Sequence, residues 1–250
     1  MSRPLSVQLY TVREPIAEDR DGVLRQLADL GFGAVEPFQP TVDPEGFRKV
    51  ADDLGLRVSS VHAMGLLDED PAPVFEAIAT LGTDLAIVPA GIAEAEFTTR
   101  DGVARTADRL NALAEKAAGH GLQLGYHNHW WEFEPVLDGK HAFEVLAELL
   151  APEVFLELDT YWAAVGGADV PAVLRGLGDR VRAIHVKDGP AVKGEPNVAV
   201  GQGVIPVPEV LAAAPRAWRI VEFDACATDL MQALGESVRY LGTLPDGDAS

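Results

Sequence analysis

What is scarce in this 250-residue chain narrows its chemistry before any motif is read. It has one cysteine, Cys226, so no internal disulfide can form, and such a composition suits a reducing cytoplasm. Basic residues are in short supply: 20 Lys and Arg stand against 39 Asp and Glu, a formal net charge of −19. Nucleic-acid affinity comes largely from basic side chains that displace counterions, and anionic lipid likewise attracts positive charge. Neither nucleic acid nor a membrane surface is therefore an expected partner. No run approaches the roughly 18 apolar residues needed to span a bilayer, and Met1 to Pro4 is too short and polar to begin a secretory leader. Linkers, low-complexity tracts and composition shifts are missing as well. One domain over 1–250 is expected, with a flexible tail at 243–250.

What is present is 48% hydrophobic and strictly alternating. Short apolar runs that read as strands occur at Leu5–Tyr10, Gly33–Glu36, Arg57–His62, Leu85–Pro89, Leu122–His127, Val154–Asp159, Val181–Lys187 and Trp218–Glu222. They lack strict polar alternation, as strands covered on both faces should. Between and after them lie stretches with apolar residues three or four apart: Gly22–Leu30, Gly46–Leu54, Val74–Leu81, Gly102–Ala118, Ala142–Leu150, Val170–Leu177, Val207–Ala214 and Asp229–Leu241. Glycines 31, 55, 82 and 121 follow four of these, and glycine tolerates the left-handed conformation that ends a helix. Eight βα units demand parallel strands and right-handed crossovers. The predicted fold is α/β, a single (β/α)8 TIM barrel, rather than an open doubly wound sheet.

Active sites of such barrels sit at the C-terminal ends of the strands. Those ends carry Gln8 and Tyr10, Glu36, His62, His127 through Glu132, Asp159, His185 with Lys187, and Glu222. A strand covered on both sides has no structural use for a terminal carboxylate or imidazole. One such residue reads as a solvated rim group; seven strands of eight sharing the trait read as a site. The exception is the fourth, Leu85 to Gly91, which looks structural. Asp159, His185 and Glu222 form an oxygen and nitrogen set suited to one divalent ion, Mn, Mg, Co or Zn. The fourth ligand should come from Tyr126-His-Asn-His-Trp-Trp-Glu-Phe133. Glu132 is chosen because a third carboxylate balances the ion; His127, nearer the strand end, is the rival. Glu157 shares a strand face with Asp159 one layer deeper and is taken as an ion-paired structural group.

Together, Tyr126-His-Asn-His129 with Glu132-Phe133, Leu156-Glu-Leu-Asp159, Ile184-His-Val-Lys-Asp188 and the opening Val7-Gln-Leu-Tyr-Thr11 resemble the sugar phosphate isomerase/epimerase family. That family lies within the xylose isomerase-like barrels, which also include inosose dehydratases, ketose 3-epimerases and endonuclease IV. The resemblance spans essentially the whole chain. It implies a barrel that handles a small sugar or polyol, with Glu132, Asp159, His185 and Glu222 at positions similar to the metal ligands. It also implies that Glu36 and His62 face substrate, and Gly201-Gln-Gly203 matches the family's Gly-x-Gly turn, which makes Gln202 a substrate contact. Trp130-Trp131 departs from the acidic residue and Phe usual in relatives, and Trp130 is expected to face the apolar side of a sugar ring. Endonuclease IV needs extra zinc ligands and a basic surface, and six histidines with a net charge of −19 argue against it.

The shared hard step of isomerisation, epimerisation and β-elimination is removal of a proton from carbon beside a carbonyl. An ion bound to neighbouring oxygens stabilises the resulting charge. Glu132 and Glu222 are the expected proton-transfer pair, with His62 and Lys187 assisting and Gln8 and His127 contacting substrate. Lys187 also reads as a salt-bridge partner of Asp188 or another strand-end acid. Few basic residues beyond Arg13 and Lys187 lie near a strand end, so the substrate is expected to lack phosphate. The expected function is a metal-dependent sugar isomerase or epimerase. A keto-polyol dehydratase comes second, and a non-catalytic sugar-binding barrel third. The outer helices leave a homodimer open.

Overall fold

In the computed structural model, which describes residues 3–245, the chain forms eleven strands and nine α-helices. The strands are β1 (Ser6–Gln8), β2 (Ala34–Glu36), β3 (Arg57–Val58), β4 (Val61–His62), β5 (Leu85–Val88), β6 (Gln123–His127), β7 (Val136–Leu137), β8 (Lys140–His141), β9 (Phe155–Asp159), β10 (Val181–Val186) and β11 (Trp218–Val221). All but β7 and β8, a small antiparallel hairpin, join one parallel sheet in the order β3-β2-β1-β11-β10-β9-β6-β5-β4. Its two end strands are consecutive pieces of one run, Arg57 to His62, broken at Ser59-Ser60, so the sheet is a nearly closed barrel. Across the break Ser59 N still bonds Val35 O on one side, and Ala63 N bonds Ile87 O on the other. The expected barrel is the observed one, with its third strand split.

Helices cover the outside: α1 (Arg13–Leu30), α2 (Pro44–Asp53), α3 (Ala72–Leu81), α4 (Arg100–Gly119), α5 (Ala142–Leu149), α6 (Thr160–Val165), α7 (Val170–Leu177), α8 (Val207–Ala213) and α9 (Leu230–Leu241). Their apolar stripes and the outer faces of the strands form the large core. Gly31 and Gly82 close α1 and α3 at φ 106° and 85°, the left-handed geometry that the sequence assigned to them. Helix α1 begins nine residues earlier than its periodicity suggests. It is broken at Asp19, whose side chain accepts from Gly22 N at 2.9 Å and caps the second half. At the other end, Thr243 N bonds Tyr240 O and Arg219 bonds Pro245 O, so 243–245 are held; 246–250, the rest of the expected tail, lie outside the described residues. Among the described residues no helix is long and apolar enough to cross a membrane.

The barrel interior is layered by strand period. Ala34, Leu85, Ile87, Phe155, Ala183, Trp218 and Ile220 make a separate apolar cluster inside the barrel. Two residues further along the same strands come Glu36, Glu157, His185 and Glu222, which the period of two places on the same face. Gly125 sits opposite Phe155, where a Cβ would approach the ring to 2.4 Å, and two residues on is His127. Strands β2, β6, β9, β10 and β11 therefore turn polar at one height, and that polar layer is buried, whereas β5 leads on to Pro89 and stays apolar.

Candidate active site

The polar layer contains two joined networks. In the deeper one, the Glu157 carboxylate receives His62 Nε2 in a very short contact and His127 Nδ1 at 3.1 Å, with His185 Nε2 at 3.3 Å. Glu36 accepts from Gln8 Nε2 at 2.7 Å and from Ser60, and it meets His185 Nε2 at 2.8 Å. Burial alone would raise the Glu157 pKa, but the His185 and His62 charges hold it well below the usual carboxylate range. Glu36 goes the other way, raised by burial and by the charge of Glu157. The His127 imidazole is held well below its ordinary value by burial and stays neutral.

In the upper network, Lys187 lies 1% exposed among three carboxylates, with its Nζ 2.8 Å from Asp159 Oδ2, 2.7 Å from Glu222 Oε2 and 2.8 Å from Asp224 Oδ2. His185 Nδ1 meets Glu222 Oε2 at 2.6 Å and so links the two networks. Burial opposes charge on Lys187, His185, Glu222 and Asp159. The Asp159 and Glu222 charges nevertheless raise Lys187 well above its usual pKa, and Glu157 and Glu222 do the same for His185. Glu222 is held well below the carboxylate range by Lys187 and His185, while burial raises Asp159 to about 6. Asp159 also caps α6, its Oδ1 accepting from Trp162 N at 2.9 Å, which turns Oδ2 toward Lys187.

Among the described residues two sets of side chains could hold a metal ion, each with ligand atoms within 4.8 Å of one another: Asp159, His185 and Glu222, and His62, His127, Glu157 and His185. Glu157 Oε1 is buried without a hydrogen-bond partner, and Asp159 Oδ2 has only the Lys187 ammonium beside it, which fits oxygens able to accept a further cation. The three expected ligands Asp159, His185 and Glu222 are thus brought together. Glu132 is in neither set. It sits in a turn closed by Phe133 N and Glu134 N on Trp130 O, and its buried carboxylate accepts from Tyr126 OH and from His129 N, both at 2.8 Å. The rival, His127, lies in the second set, with Nε2 3.9 Å from Asp159 Oδ2. Glu157, read from sequence as purely structural, belongs to that set too.

Above the networks is a cavity of about 320 Å³, walled by Tyr10, Phe38, Met64 and Trp162 and floored by His127, Lys187 and Glu222. His62 reaches it; Glu36, Gln8 and Glu132 do not line it. Gln8 is spent internally, accepting from Tyr10 N at 3.0 Å while it donates to Glu36. Trp130 stands behind Trp162, with ring centroids 4.7 Å apart, and Trp131 stacks on His129. The structure does not bring Gln202 to the site. Its amide donates to Glu236 on α9 at 2.8 Å, at the exposed surface. The glycines that flank it serve Asp188, whose buried carboxylate accepts from Gly189, Gly201, Gly203 and Ile205 amides. An internal anion fills the nest that a substrate phosphate would need. Lys187 pairs with three strand-end acids, and Asp188 is not one of them. Sequence reasoning missed Trp162 and Asp224; the aromatic pair Tyr161-Trp162, one residue beyond Asp159, was the available signal for the first.

Burial raises Glu132 from 4.5 to about 8, so at neutral pH its carboxyl is protonated in the fold and ionised in the unfolded chain. The fold then binds one proton more than the unfolded chain between those values, and stability falls as pH rises through that window. Glu132→Gln keeps the shape and carries no such proton. Chemical denaturation should find the variant gaining stability relative to wild type from pH 5 to pH 8, by about 1–3 kcal/mol. A constant difference across that range would contradict the assignment.

A family model described as xylose isomerase-like TIM barrel matches residues 24–218. A curated 3-dehydroshikimate dehydratase of Pseudomonas aeruginosa is 25% identical over 183 residues, which cover 67% of this chain and 28% of that protein, so this chain matches little more than a quarter of its length. Among solved structures, a sugar phosphate isomerase/epimerase from Parabacteroides distasonis superposes with a TM-score of 0.83 at 22% identity, covering 99% of this chain and 96% of that one. A probable 3-DHS dehydratase from Bacillus anthracis gives 0.73 at 14%, covering 96% and 99%.

Proposed function

The chain belongs to the xylose isomerase-like TIM barrel family, and on that premise we propose that it is a metal-dependent isomerase or epimerase of a small unphosphorylated sugar, keto-sugar or cyclitol. The observation that carries this reading is the 320 Å³ cavity, into which an ionised carboxylate and proton-bearing groups face together directly above Asp159, His185 and Glu222. That volume lies at the small end for ligand sites and suits one monosaccharide ring.

Asp159, His185 and Glu222 would hold the divalent ion, with His127 as the fourth ligand in place of Glu132. The donor set suits Mn, Mg, Co or Zn. A bound ion would supply Lewis-acid chemistry, polarising a substrate carbonyl and stabilising negative charge on its oxygen. Three carboxylates around Lys187 carry more negative charge than the one ammonium offsets, and even with a protonated His185 one negative charge is left over, which favours a cation there. Ligation by His185 requires loss of that proton, so metal binding weakens as pH falls.

Glu222, kept ionised by Lys187, takes the proton from carbon beside the carbonyl. His62 carries a proton more readily than a free imidazole: burial opposes it, but Glu36 and Glu157 raise its pKa. It delivers a proton from the far side of the cavity, with β1 and β2 between its strand and that of Glu222. A base and an acid whose environments push their pKa values apart are the pair such a reaction needs. Lys187 steadies negative charge on substrate oxygen. Tyr10, Phe38 and Trp162 exclude water and offer faces to the C–H side of a ring.

A dehydratase is the second reading. One carboxylate base beside two proton-bearing groups also suits removal of a proton and protonation of a leaving hydroxyl, and the curated relative bears a dehydratase name. A panel of ketoses, keto-sugars, inososes and 3-dehydroshikimate, incubated with Mn, Mg, Co and Zn and read by mass spectrometry, separates the two. A rearranged product of unchanged mass supports the isomerase. Loss of one water with new ultraviolet absorbance supports the dehydratase. Binding without turnover across the panel would sink both and favour a non-catalytic sugar-binding barrel.

A further inference from the structure

The opposite end of the barrel holds a second and larger cavity, about 660 Å³, at the N-terminal ends of the strands. Its wall includes Arg57, Leu85 and Trp218, the first residues of β3, β5 and β11, far from the strand ends that carry Glu222 and His62. Four of the chain's 20 basic residues line it: Arg3, Arg48, Arg57 and Arg182. In a protein of net charge −19 this local excess of positive charge calls for a reason.

Internal pairing does not supply one. Of the two acids in the wall, Asp52 is engaged by Arg48 at 2.7 Å and Asp84 by the Gln123 amide. Among the described residues no carboxylate lies within ion-pair distance of Arg3, Arg57 or Arg182. Arg3 uses Nη1 on two backbone carbonyls, those of Arg216 and Arg182, and Arg182 uses Nη1 on Gln123 Oε1. Their remaining guanidinium donors are uncommitted. Arg3 and Arg57 both stand over the Trp218 ring, at 5.3 and 5.1 Å from its centroid, which fixes their planes and gathers their charges. Desolvation, and then the like charges of Arg182 and Arg57, lower the Arg3 pKa. Gly82 completes the wall at φ 85°; a Cβ there would collide with Arg48, so the glycine lets that guanidinium in to reach Leu81 O at 3.1 Å.

We propose that this cavity binds a small multivalent oxyanion, a phosphate or a phosphate ester, held by Arg3, Arg57 and Arg182. A tetrahedral group with three acceptor oxygens and nearly two negative charges matches converging guanidinium forks better than a planar monocarboxylate does. The cavity is twice the size of the one at the other mouth, leaving room for an organic portion beyond the phosphate. Nothing in the proposed reaction at that other mouth depends on this site.

Isothermal titration of the full-length, metal-loaded protein with inorganic phosphate tests it, with glycerol 3-phosphate in a parallel arm. One saturable site per chain is expected, with each of Arg3→Gln and Arg57→Gln weakening it by about tenfold or more and Arg57→Lys falling between. Arg105→Gln removes one positive charge from α4, where Arg105 forms an exposed pair with Glu96, and should leave binding unchanged. Tighter binding of glycerol 3-phosphate identifies an ester as the better occupant; equal or weaker binding identifies the free ion. Lack of saturation with either probe by about 20 mM would overturn the proposal. So would equal weakening by Arg105→Gln, or wild-type binding in both cavity variants.

Discussion

Glu222→Gln is expected to lower kcat by about 10³-fold at saturating metal, with the fold retained. The carboxylate is the ionised group on the cavity floor, held well below the usual range by Lys187 and His185, so its loss removes the base and leaves the acids. The amide preserves the shape and one acceptor for Lys187, at 2.7 Å in the wild type, while its NH2 would face a donor. Steady-state turnover on whichever panel substrate reacts, with thermal melting as the folding control, checks this. Activity within about tenfold of wild type would remove Glu222 from the chemistry. His62→Gln should cost less, since a proton-bearing Lys187 remains beside the same cavity.

Asp188→Ala carries the largest expected cost in stability. The buried carboxylate accepts from the amides of Gly189, Gly201 and Gly203 at 2.9 Å each and of Ile205 at 3.1 Å, and it holds the segment between β10 and α8. Alanine leaves four backbone donors with no acceptor, for a loss of about 3–5 kcal/mol. In a chain of this length that corresponds to a fall in Tm of roughly 10 °C. Asp188→Asn keeps one acceptor oxygen and should fall between. Calorimetry showing all three proteins within about 2 °C would contradict this role. Gly203→Ala should resemble Asp188→Ala, because a Cβ at Gly203 would meet Asp188 Oδ1 at 2.1 Å.

How legible all this was in the sequence depended on which geometry is regular. Strand period is exact at two, so the strand-end residues Glu36, His127, Asp159, His185 and Glu222 could be assigned to one end of a barrel from order alone. The same rule placed Glu157 on the face of Asp159, and only its importance was misjudged. Depth suggested a structural ion pair, whereas three imidazoles converge on that carboxylate. Loop residues obey no such period. Glu132 comes five residues after the end of β6, in a turn that points its carboxyl back at Tyr126 and His129 N; its sequence neighbours do not encode that direction. Gly201-Gln-Gly203 looked like a ligand turn because backbone amides that cradle a phosphate and amides that cradle Asp188 need the same glycines. Helix α6 escaped notice because six residues carry too little periodicity, although Asp159 caps it.

The central claim is that Asp159, His185 and Glu222 hold a divalent ion at the C-terminal mouth. Elemental analysis of the purified protein, with Asp159→Asn and Glu222→Gln prepared in parallel, tests it most directly. Near-stoichiometric divalent metal in the wild type, with marked loss in both variants, is the predicted result. A wild type without stoichiometric metal, or variants that hold as much of it as the wild type, would contradict it.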